Sequence, residues 1–271
     1  MTLVMGIVNV TPDSFSDGGR YLDSEAAIDH GLALLASGAD ILDIGGESTR
    51  PGAERVDPAE ERARVIPVIE ALSGTGAMLS VDTMNAETAV AAVAAGARMV
   101  NDVSGGLADP EMLGAVAASG ADIVLQHWRG HSADMYADAS YTDVGREVLH
   151  ELKARLHAAA KAGISPDRVV LDPGIGFGKH GDQNWRALRA LDRIVALGPR
   201  VLVGTSRKRF LAETLEAAGA PGEVDETRRD LATAVTSVLA AQAGAWAVRV
   251  HDVTATRDAL AVAQAWEQGG I

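Results

Sequence analysis

The sequence contains no cysteine, which excludes disulfide bonds and thiolate metal sites. This absence is typical of a cytoplasmic protein, and the cytoplasm is the location that we expect. No apolar run reaches the roughly 18 residues that a membrane-spanning helix needs. The N-terminus also lacks the basic segment and small-residue cleavage site of a signal peptide, so we interpret residues 3–9 as a first strand.

The chain has no excess of positive charge, since 24 Lys and Arg stand against 37 Asp and Glu for a net charge of −13. General nucleic-acid binding requires a basic face, so this class of function is excluded. A small anionic substrate needs only a few cations gathered at one place. We therefore expect small-molecule substrates, with no nucleic-acid or membrane partner.

Short apolar runs alternate with Ala-rich amphipathic stretches along the whole chain. Such runs are typical of parallel strands that are buried on both faces. The predicted strands cover residues 3–9, 40–44, 78–82, 99–102, 122–127, 169–172, 201–204 and 247–251. The predicted helices cover residues 24–37, 57–72, 85–95, 109–119, 143–162, 184–197, 226–243 and 254–268.

Eight strands alternating with eight helices predict an α/β fold, a single (β/α)8 TIM barrel that occupies residues 1–271 as one domain. An open doubly wound sheet is the alternative. That fold would have fewer repeats or a Gly-rich phosphate turn after the first strand, and Gly6 lies inside the strand instead. Acids that precede prolines, at Asp57 and Asp109, predict the starts of two helices.

Polar residues follow almost every predicted strand, at the end where a barrel gathers its active-site groups. They are Asn9, Asp43, Asp82, Asn101, Asp102, Gln126, His127, Asp172, Ser206, Lys208, Arg249 and His251. A buried acid costs several kcal/mol unless it meets donors. So many polar groups on one face therefore indicate a site for a polar ligand, although any single residue could be a strand-end cap or part of an ion pair.

The set divides by charge along the barrel. Asp82, Asn101 and Asp172 offer acceptors and an amide on the middle strands, which suits a flat heterocycle with N–H donors. The cationic or potentially cationic members follow strands seven and eight, where barrels often hold phosphate. These are Lys208, Arg249 and His251. Asn9 supplies an oxygen suited to Mg²⁺, which usually keeps waters and substrate phosphates as its other ligands.

Three Gly-rich segments follow strands. Asp172-Pro-Gly-Ile-Gly-Phe-Gly-Lys179 combines a strand-end acid with glycines that let the backbone turn tightly and approach a ligand closely. Residues 11–21 and 45–58 mix glycines with polar residues and proline, and we interpret them either as mobile lids or as ordinary exposed loops.

Seven ordered motifs resemble those of the dihydropteroate synthase family. They occupy residues 5–18, 43–52, 80–83, 101–105, 172–179, 206–208 and 249–253. The resemblance implies a TIM barrel that joins 6-hydroxymethyl-7,8-dihydropterin pyrophosphate to 4-aminobenzoate, releasing 7,8-dihydropteroate and pyrophosphate in folate biosynthesis. It also implies a homodimer, and a site where sulfonamides mimic 4-aminobenzoate.

The resemblance assigns a role to each matching residue. It implies pterin binding by Asp82, Asn101, Asp172 and Lys208. It implies pyrophosphate binding by Arg249 and His251, with Mg²⁺ held at Asn9. It implies a 4-aminobenzoate site formed by Thr49, Arg50, Pro51, Phe177, Ser206 and Lys208. The residues expected to act in catalysis are Asp82, Asp172, Lys208, Arg249 and His251.

The chain departs from the family pattern at Gln126, where methionine commonly precedes the fifth-strand histidine. An amide there replaces a soft side chain that contacts the pterin. Three other functions stay open on the sequence: a pterin-dependent methyltransferase that serves a corrinoid protein, a catalytically silent pterin-binding paralogue, and an interaction scaffold without chemistry.

Overall fold

Eight parallel strands close into a barrel in which each strand pairs with the next along the chain and β8 pairs with β1. The strands are β1 (Leu3–Asn9), β2 (Ile41–Gly45), β3 (Met78–Asp82), β4 (Met99–Asp102), β5 (Asp122–Gln126), β6 (Val169–Asp172), β7 (Arg200–Val203) and β8 (Ala247–Val250). The computed structural model describes residues 2–10, 20–48, 55–131, 136–137, 139–219 and 221–269. The predicted TIM barrel is confirmed, and the open sheet is wrong because β1 and β8 are neighbours.

Helices follow the strands and pack around the barrel. They are α1 (Arg20–Ala36), α2 (Pro58–Leu72), α3 (Ala86–Ala95), α4 (Met112–Ser119), α5 (Val144–Lys161), α6 (Gly181–Arg189), α7 (Leu191–Val195), α8 (Arg209–Ala217), α9 (Glu226–Gln242) and α10 (Val253–Gln268). Within the described ranges, none of these helices combines the length and the apolar character that crossing a bilayer requires.

The core has two parts because successive strand residues point to opposite faces. Outward-facing residues such as Val81, Leu125 and Leu171 form one large cluster with the apolar faces of the helices. Inward-facing residues fill the lower barrel, and they are Met5, Ile41, Met99, Val124, Val170, Leu202 and Ala247. This inner layer fills the barrel interior below the strand ends that carry the polar residues.

Several predicted boundaries change in the structure. Predicted strands 201–204 and 247–251 end one residue earlier, so Gly204 and His251 lie just beyond them. The predicted helix 184–197 is two helices, α6 and α7, interrupted at Ala190. Helix α8, an amphipathic segment that directly follows the motif at residues 206–208, is absent from the predicted helices.

The two predicted helix caps have different outcomes. Asp57 caps α2 as predicted, accepting a hydrogen bond of 2.8 Å from the first turn. The prediction for Asp109 is wrong, because α4 begins only at Met112. The Asp109 carboxylate instead accepts the backbone N–H groups of Glu111 at 2.9 Å and of Ala86 at 2.8 Å, and so it also holds the start of α3.

Candidate active site

The polar residues of the site lie one step above the apolar inner layer. A strand directs every second side chain to the same face, so the residues two positions after the inner layer also point into the barrel. Ile41 is followed in this way by Asp43, and Ala247 is followed by Arg249. The same step leads to Asn101, Gln126 and Asp172 on β4, β5 and β6. The strand period thus places a polar layer at the open end.

Arg249 on β8 reaches across the barrel to two carboxylates. Its Nε atom donates to Oδ2 of Asp43 at 2.6 Å, and its Nη2 atom donates to Oδ2 of Asp82 at 2.8 Å. Asn101 donates from Nδ2 to the same Asp43 oxygen at 2.9 Å. One network therefore joins β2, β3, β4 and β8, and it contains three of the predicted ligand-binding residues.

Asp43 is a member of this network to which the sequence had assigned no role. It is fully buried, and its second oxygen, Oδ1, has no hydrogen-bond partner among the described residues. The signal was present in the sequence, since an acid interrupts the otherwise apolar run of β2. The structure explains this acid as the main counter-ion of Arg249.

Burial and the neighbouring charges shift the pKa values of this network in opposite directions. Burial raises the pKa of Asp82 to about 8, against the pull of the Arg249 guanidinium. For Arg249, burial acts to lower the pKa, but Asp43 and Asp82 outweigh it and the pKa is raised. Arg249 therefore stays charged between these two carboxyl groups.

The Gly-rich turn after β6 folds back over its own acid. Oδ1 of Asp172 accepts the backbone N–H of Gly174 at 2.7 Å, and burial raises the pKa of this carboxyl. Gly174 has φ = 64°, and a Cβ there would lie 2.2 Å from the carbonyl oxygen of His127. Gly176 has φ = 81°, and its Cβ would lie 2.6 Å from Cδ of Lys208. Only glycine fits at either position.

Lys208 lies against this turn. Its ammonium group donates to the carbonyl oxygen of Ile175 and stands 4.7 Å from the centre of the Phe177 ring. Burial lowers the pKa of Lys208 to about 8, while the charge of Asp172 opposes that change. The structure thus brings Asp172, Phe177 and Lys208 to one side of the barrel mouth, as the sequence predicted.

Ser206 and His251 join the ends of β7 and β8. Oγ of Ser206 accepts the backbone N–H of His251 at 3.1 Å and lies 2.8 Å from its Nδ1 atom. The Ser206 hydroxyl group thus accepts one hydrogen bond from the His251 backbone and shares a second with the imidazole, which fixes the orientation of the ring.

Asn9 is the last residue of β1, partly exposed and next to β8, which carries Arg249. Across the described ranges, no three residues of the types His, Asp or Glu cluster closely enough to hold a metal ion. A single amide oxygen at a partly exposed strand end is compatible with Mg²⁺, which can take its other ligands from water and phosphate.

Thr49, Arg50 and Pro51, predicted to line the 4-aminobenzoate site, lie outside the described residues. The residues that flank this segment on its two sides are connected by hydrogen bonds. Glu47 accepts hydrogen bonds from Arg55 at 3.2 Å and from the backbone of Val56 at 3.1 Å. At the fifth strand, Gln126 is buried and donates to the carbonyl oxygen of Val103 at 3.3 Å.

Comparison with known proteins adds relatives that share both sequence and fold. A family model for pterin binding enzymes matches residues 5–251. A dihydropteroate synthase from Mycobacterium leprae is 53% identical over 269 residues, which are 98% of this chain and 94% of the relative.

Solved structures agree with that match. The dihydropteroate synthase of Xanthomonas albilineans with 4-aminobenzoic acid is 49% identical and has a TM-score of 0.89, with 98% of this chain and 93% of that chain covered. The same enzyme in complex with 7,8-dihydropteroate gives 46% identity and a TM-score of 0.85, with 98% and 94% covered. A Yersinia pestis dihydropteroate synthase in a sulfonamide drug complex is 37% identical, with a TM-score of 0.89 and 98% and 94% covered.

These matches extend from the first strand to the last and include the polar layer at the barrel mouth. The chain therefore belongs to the dihydropteroate synthase family of pterin binding enzymes.

Proposed function

We propose that the chain condenses 6-hydroxymethyl-7,8-dihydropterin pyrophosphate with 4-aminobenzoate, giving 7,8-dihydropteroate and pyrophosphate. The observation that carries this proposal is the position of Arg249, whose guanidinium lies between Asp43 and Asp82 at the barrel mouth. This arrangement sets an anion-binding group directly beside acceptors for a heterocycle. The relatives' complexes with 4-aminobenzoic acid and with 7,8-dihydropteroate support the same pair of substrates.

The pterin would lie among the polar groups of β3, β4 and β6. Asp82 and Asp172 offer carboxylate oxygens to ring N–H groups, and Asn101 offers both a donor and an acceptor. Lys208, fixed against the Gly-rich turn, would donate to a ring oxygen or nitrogen. Asp82, Asn101 and Asp172 are buried at the ends of their strands, and Lys208 is partly exposed beside them.

The pyrophosphate would lie at the end of β8. Arg249 can present its planar fork to phosphate oxygens, and His251, whose ring Ser206 orients, would contact the same phosphates. We propose Asn9 as the protein ligand of Mg²⁺, whose charge, when the ion is bound, assists departure of the pyrophosphate.

The 4-aminobenzoate site would be completed by the Phe177 ring, Ser206 and Lys208, with Thr49, Arg50 and Pro51 from the loop after β2. An aromatic ring beside a cation suits a benzoate, because the ring packs on its face while the ammonium pairs with its carboxylate. Sulfonamides, which present a similar aniline, would compete for this position.

The chemistry asks the protein mainly to hold charge and to orient two substrates. As the C–O bond to pyrophosphate breaks, Arg249 and His251 stabilise the negative charge that develops on the leaving group. Asp82 and Asp172 stabilise the positive charge that the dihydropterin shares with its methylene carbon. The amino nitrogen of 4-aminobenzoate, held in line by its own site, then forms the C–N bond to that carbon and loses one proton to water or to the departing pyrophosphate.

One experiment tests the proposal. The purified protein is mixed with the dihydropterin pyrophosphate, 4-aminobenzoate and Mg²⁺, and the release of pyrophosphate is followed together with formation of 7,8-dihydropteroate. We expect both products in equal amounts. Binding of both substrates without any turnover would instead indicate the silent paralogue, and failure to bind a pterin would indicate a scaffold. Methyl transfer from a reduced folate to a corrinoid would indicate the methyltransferase.

We also propose a homodimer, located in the cytoplasm, that forms through an apolar surface on α9 and α10. Leu231, Val235 and Leu239 are spaced four residues apart on α9 and are 67%, 54% and 55% exposed. On α10, Val262 and Trp266 are 70% and 87% exposed. Exposed apolar side chains grouped in this way are typical of a subunit interface.

Light scattering at several concentrations tests the dimer. We expect a mass twice that of the chain for the native protein and a single-chain mass for the double variant Leu231→Glu and Val235→Glu. Val90→Glu is the matched control, because Val90 is exposed on α3, outside the proposed surface. A single-chain mass for the native protein would overturn the dimer.

A further inference from the structure

Lys179, at the end of the Gly-rich turn, is only 2% exposed and is among the largest fully buried side chains of the protein. Lysine is almost never fully buried unless its ammonium group is satisfied by partners. No role in the proposed reaction accounts for it, since its ammonium group lies behind the turn. The contacts of its ammonium group indicate a structural role.

The ammonium group of Lys179 has three hydrogens and three partners. It donates to the carbonyl oxygens of Gly174 at 2.8 Å and of Phe177 at 3.0 Å. Its third partner is Nδ1 of His127, also at 3.0 Å. Two of the three partners are therefore backbone atoms at the two ends of a four-residue turn.

We propose that Lys179 is a positioning residue for the 4-aminobenzoate site, which it serves by fixing the turn that carries Phe177 and holds Lys208. This inference rests on the proposed function, because it assigns Phe177 and Lys208 to that site.

The turn and Lys208 are connected atom by atom. Between the two carbonyl groups that Lys179 holds lies Ile175, whose own carbonyl oxygen accepts the hydrogen bond from Lys208. The ring of Phe177 lies beneath the ammonium group of Lys208. Movement of the turn would therefore displace the ring and release Lys208 at the same time.

The position of Lys179 is itself fixed from the opposite side. Nε2 of His127 lies 3.0 Å from Oε2 of Glu151 on α5 without forming a hydrogen bond to it. Nδ1 can accept from Lys179, because an ammonium group only donates. Glu151 is held in turn by Arg129. Burial lowers the pKa of His127 to about 4, which keeps the ring neutral at ordinary pH. Lys179 thus meets a preformed acceptor.

Asn184 on α6 holds the remaining backbone of the same turn. Its Oδ1 atom accepts the N–H of Gly176 at 2.7 Å, and its Nδ2 atom donates to the carbonyl oxygen of Lys179 at 3.1 Å. Of the groups proposed for the pterin, Asp172 and Lys208 contact this turn, whereas the other groups of the pterin and pyrophosphate sites do not depend on it. Arg249, Asp82 and Asn101 are held instead by Asp43 and by one another.

The test is the separate measurement of KM for the two substrates in Lys179→Met, which keeps the length of the side chain and removes the charge. We expect KM for 4-aminobenzoate to rise by about ten-fold or more. KM for the dihydropterin pyrophosphate should rise clearly less, because only part of its site contacts the turn. The stability control is Leu202→Ala, which creates a cavity in the inner layer at the barrel bottom. This variant should lose thermal stability to a similar extent as Lys179→Met but leave both KM values unchanged.

A rescue experiment uses the absence of cysteine from the chain. Lys179→Cys carries the only thiol, which can be aminoethylated in denaturant to restore an ammonium group before refolding. We expect aminoethylation to restore KM for 4-aminobenzoate, whereas carbamidomethylation does not. Should neither variant fold, Asn184→Ala, which loosens the same turn, is expected to give the same selective rise.

Equal increases in the two KM values, or no increase in either, would overturn the proposal. Failure of the proposed function is distinguished by the native protein, because it would then release no pyrophosphate.

Discussion

Arg249 and Asp43 form a close ion pair at the barrel mouth, with 2.6 Å between Nε and Oδ2, although they are 206 residues apart in the chain. Asp43 is fully buried and belongs to β2, while Arg249 belongs to β8 on the other side of β1. The pair therefore crosses the interior above β1. It sets the direction of the guanidinium before any ligand arrives.

The first prediction concerns this orientation. Asp43→Asn should weaken binding of pyrophosphate-bearing ligands, because it replaces a charge-assisted hydrogen bond, worth about 1.5–3 kcal/mol, with a weaker neutral one that holds the guanidinium less firmly. Isothermal calorimetry with the dihydropterin pyrophosphate measures the loss. Asp40→Asn is the control, since Asp40 pairs with Arg257 at the opposite end of the barrel. Equal affinities for the native protein and Asp43→Asn would contradict the assigned role.

Arg249→Ala should mainly harm binding of the substrate that carries pyrophosphate. Water cannot replace the paired, charge-assisted contacts of the guanidinium. Affinities are compared for the pyrophosphate and for its alcohol analogue, and we expect the larger loss for the pyrophosphate. If both ligands lose the same affinity, Arg249 acts on the pterin or on the fold and does not bind phosphate.

Asp172→Asn should weaken pterin binding by about 1.5–3 kcal/mol, the range for a hydrogen bond to a charged group. The fold should persist, because the amide oxygen of asparagine can still accept the Gly174 N–H that the carboxylate now accepts. Calorimetry with a pterin that lacks pyrophosphate measures the affinity, and thermal unfolding serves as the control. A pterin affinity equal to that of the native protein would remove Asp172 from the site.

We expect 4-aminobenzoate to bind appreciably only after pyrophosphate is in place. The described residues offer a benzoate only Phe177, Ser206 and Lys208, and the loop residues must supply the rest. Fixing the backbone of each loop residue costs about 1–2 kcal/mol, and pyrophosphate with Mg²⁺ would offset this cost and favour the competent site. Titration of 4-aminobenzoate with and without pyrophosphate and Mg²⁺ tests the order. The same affinity in both titrations would mean that the site is already formed.

The free energy of unfolding should depend on pH through Lys179. Burial lowers its pKa from 10.5 to about 7. The charged groups that face it are Asp172 and Glu151, which favour its charge, and Lys208 and Arg129, which oppose it. Below about pH 7 the folded and unfolded states both carry the proton. Between about pH 7 and 10.5 only the unfolded chain binds it, so the free energy of unfolding rises with pH.

Lys179→Met has no proton to lose at this position and should lack this rise. The stability of the native protein relative to the variant should therefore grow between pH 7 and 9. Denaturant unfolding of both proteins at half-unit steps measures the difference. A constant difference across that range would mean that the folded-state pKa of Lys179 lies outside it.

The fold could be predicted from the sequence because parallel strands buried on both faces leave a simple pattern. β1, β3, β4 and β6 have the bounds that their apolar runs predict. The wrong cap at Asp109 has a tertiary cause: its carboxylate is also engaged by Ala86, a contact with another helix that local sequence cannot reveal. The break at Ala190 likewise interrupts a segment whose apolar spacing is continuous.

The composition of the site could also be predicted, but its connections could not. Strand-end position identified Asp82, Asn101, Asp172 and Arg249, because a barrel brings such residues to one face. The bond from Arg249 to Asp43 depends on the stagger of strands far apart in sequence. Lys179 could not be identified either, since its position in the sequence resembles an exposed loop lysine. Its burial follows only from how the turn packs on β5 and α5.

The backbone of the turn at Gly174 and Gly176 has one further consequence. A side chain at Gly174 would collide with the backbone oxygen of His127, and a side chain at Gly176 would collide with the stem of Lys208. An inhibitor that makes its hydrogen bonds to the main chain of this turn would therefore rest on atoms that substitution can scarcely alter. A single replacement at either glycine would therefore disrupt the turn that the enzyme itself needs, so it is a poor route to resistance.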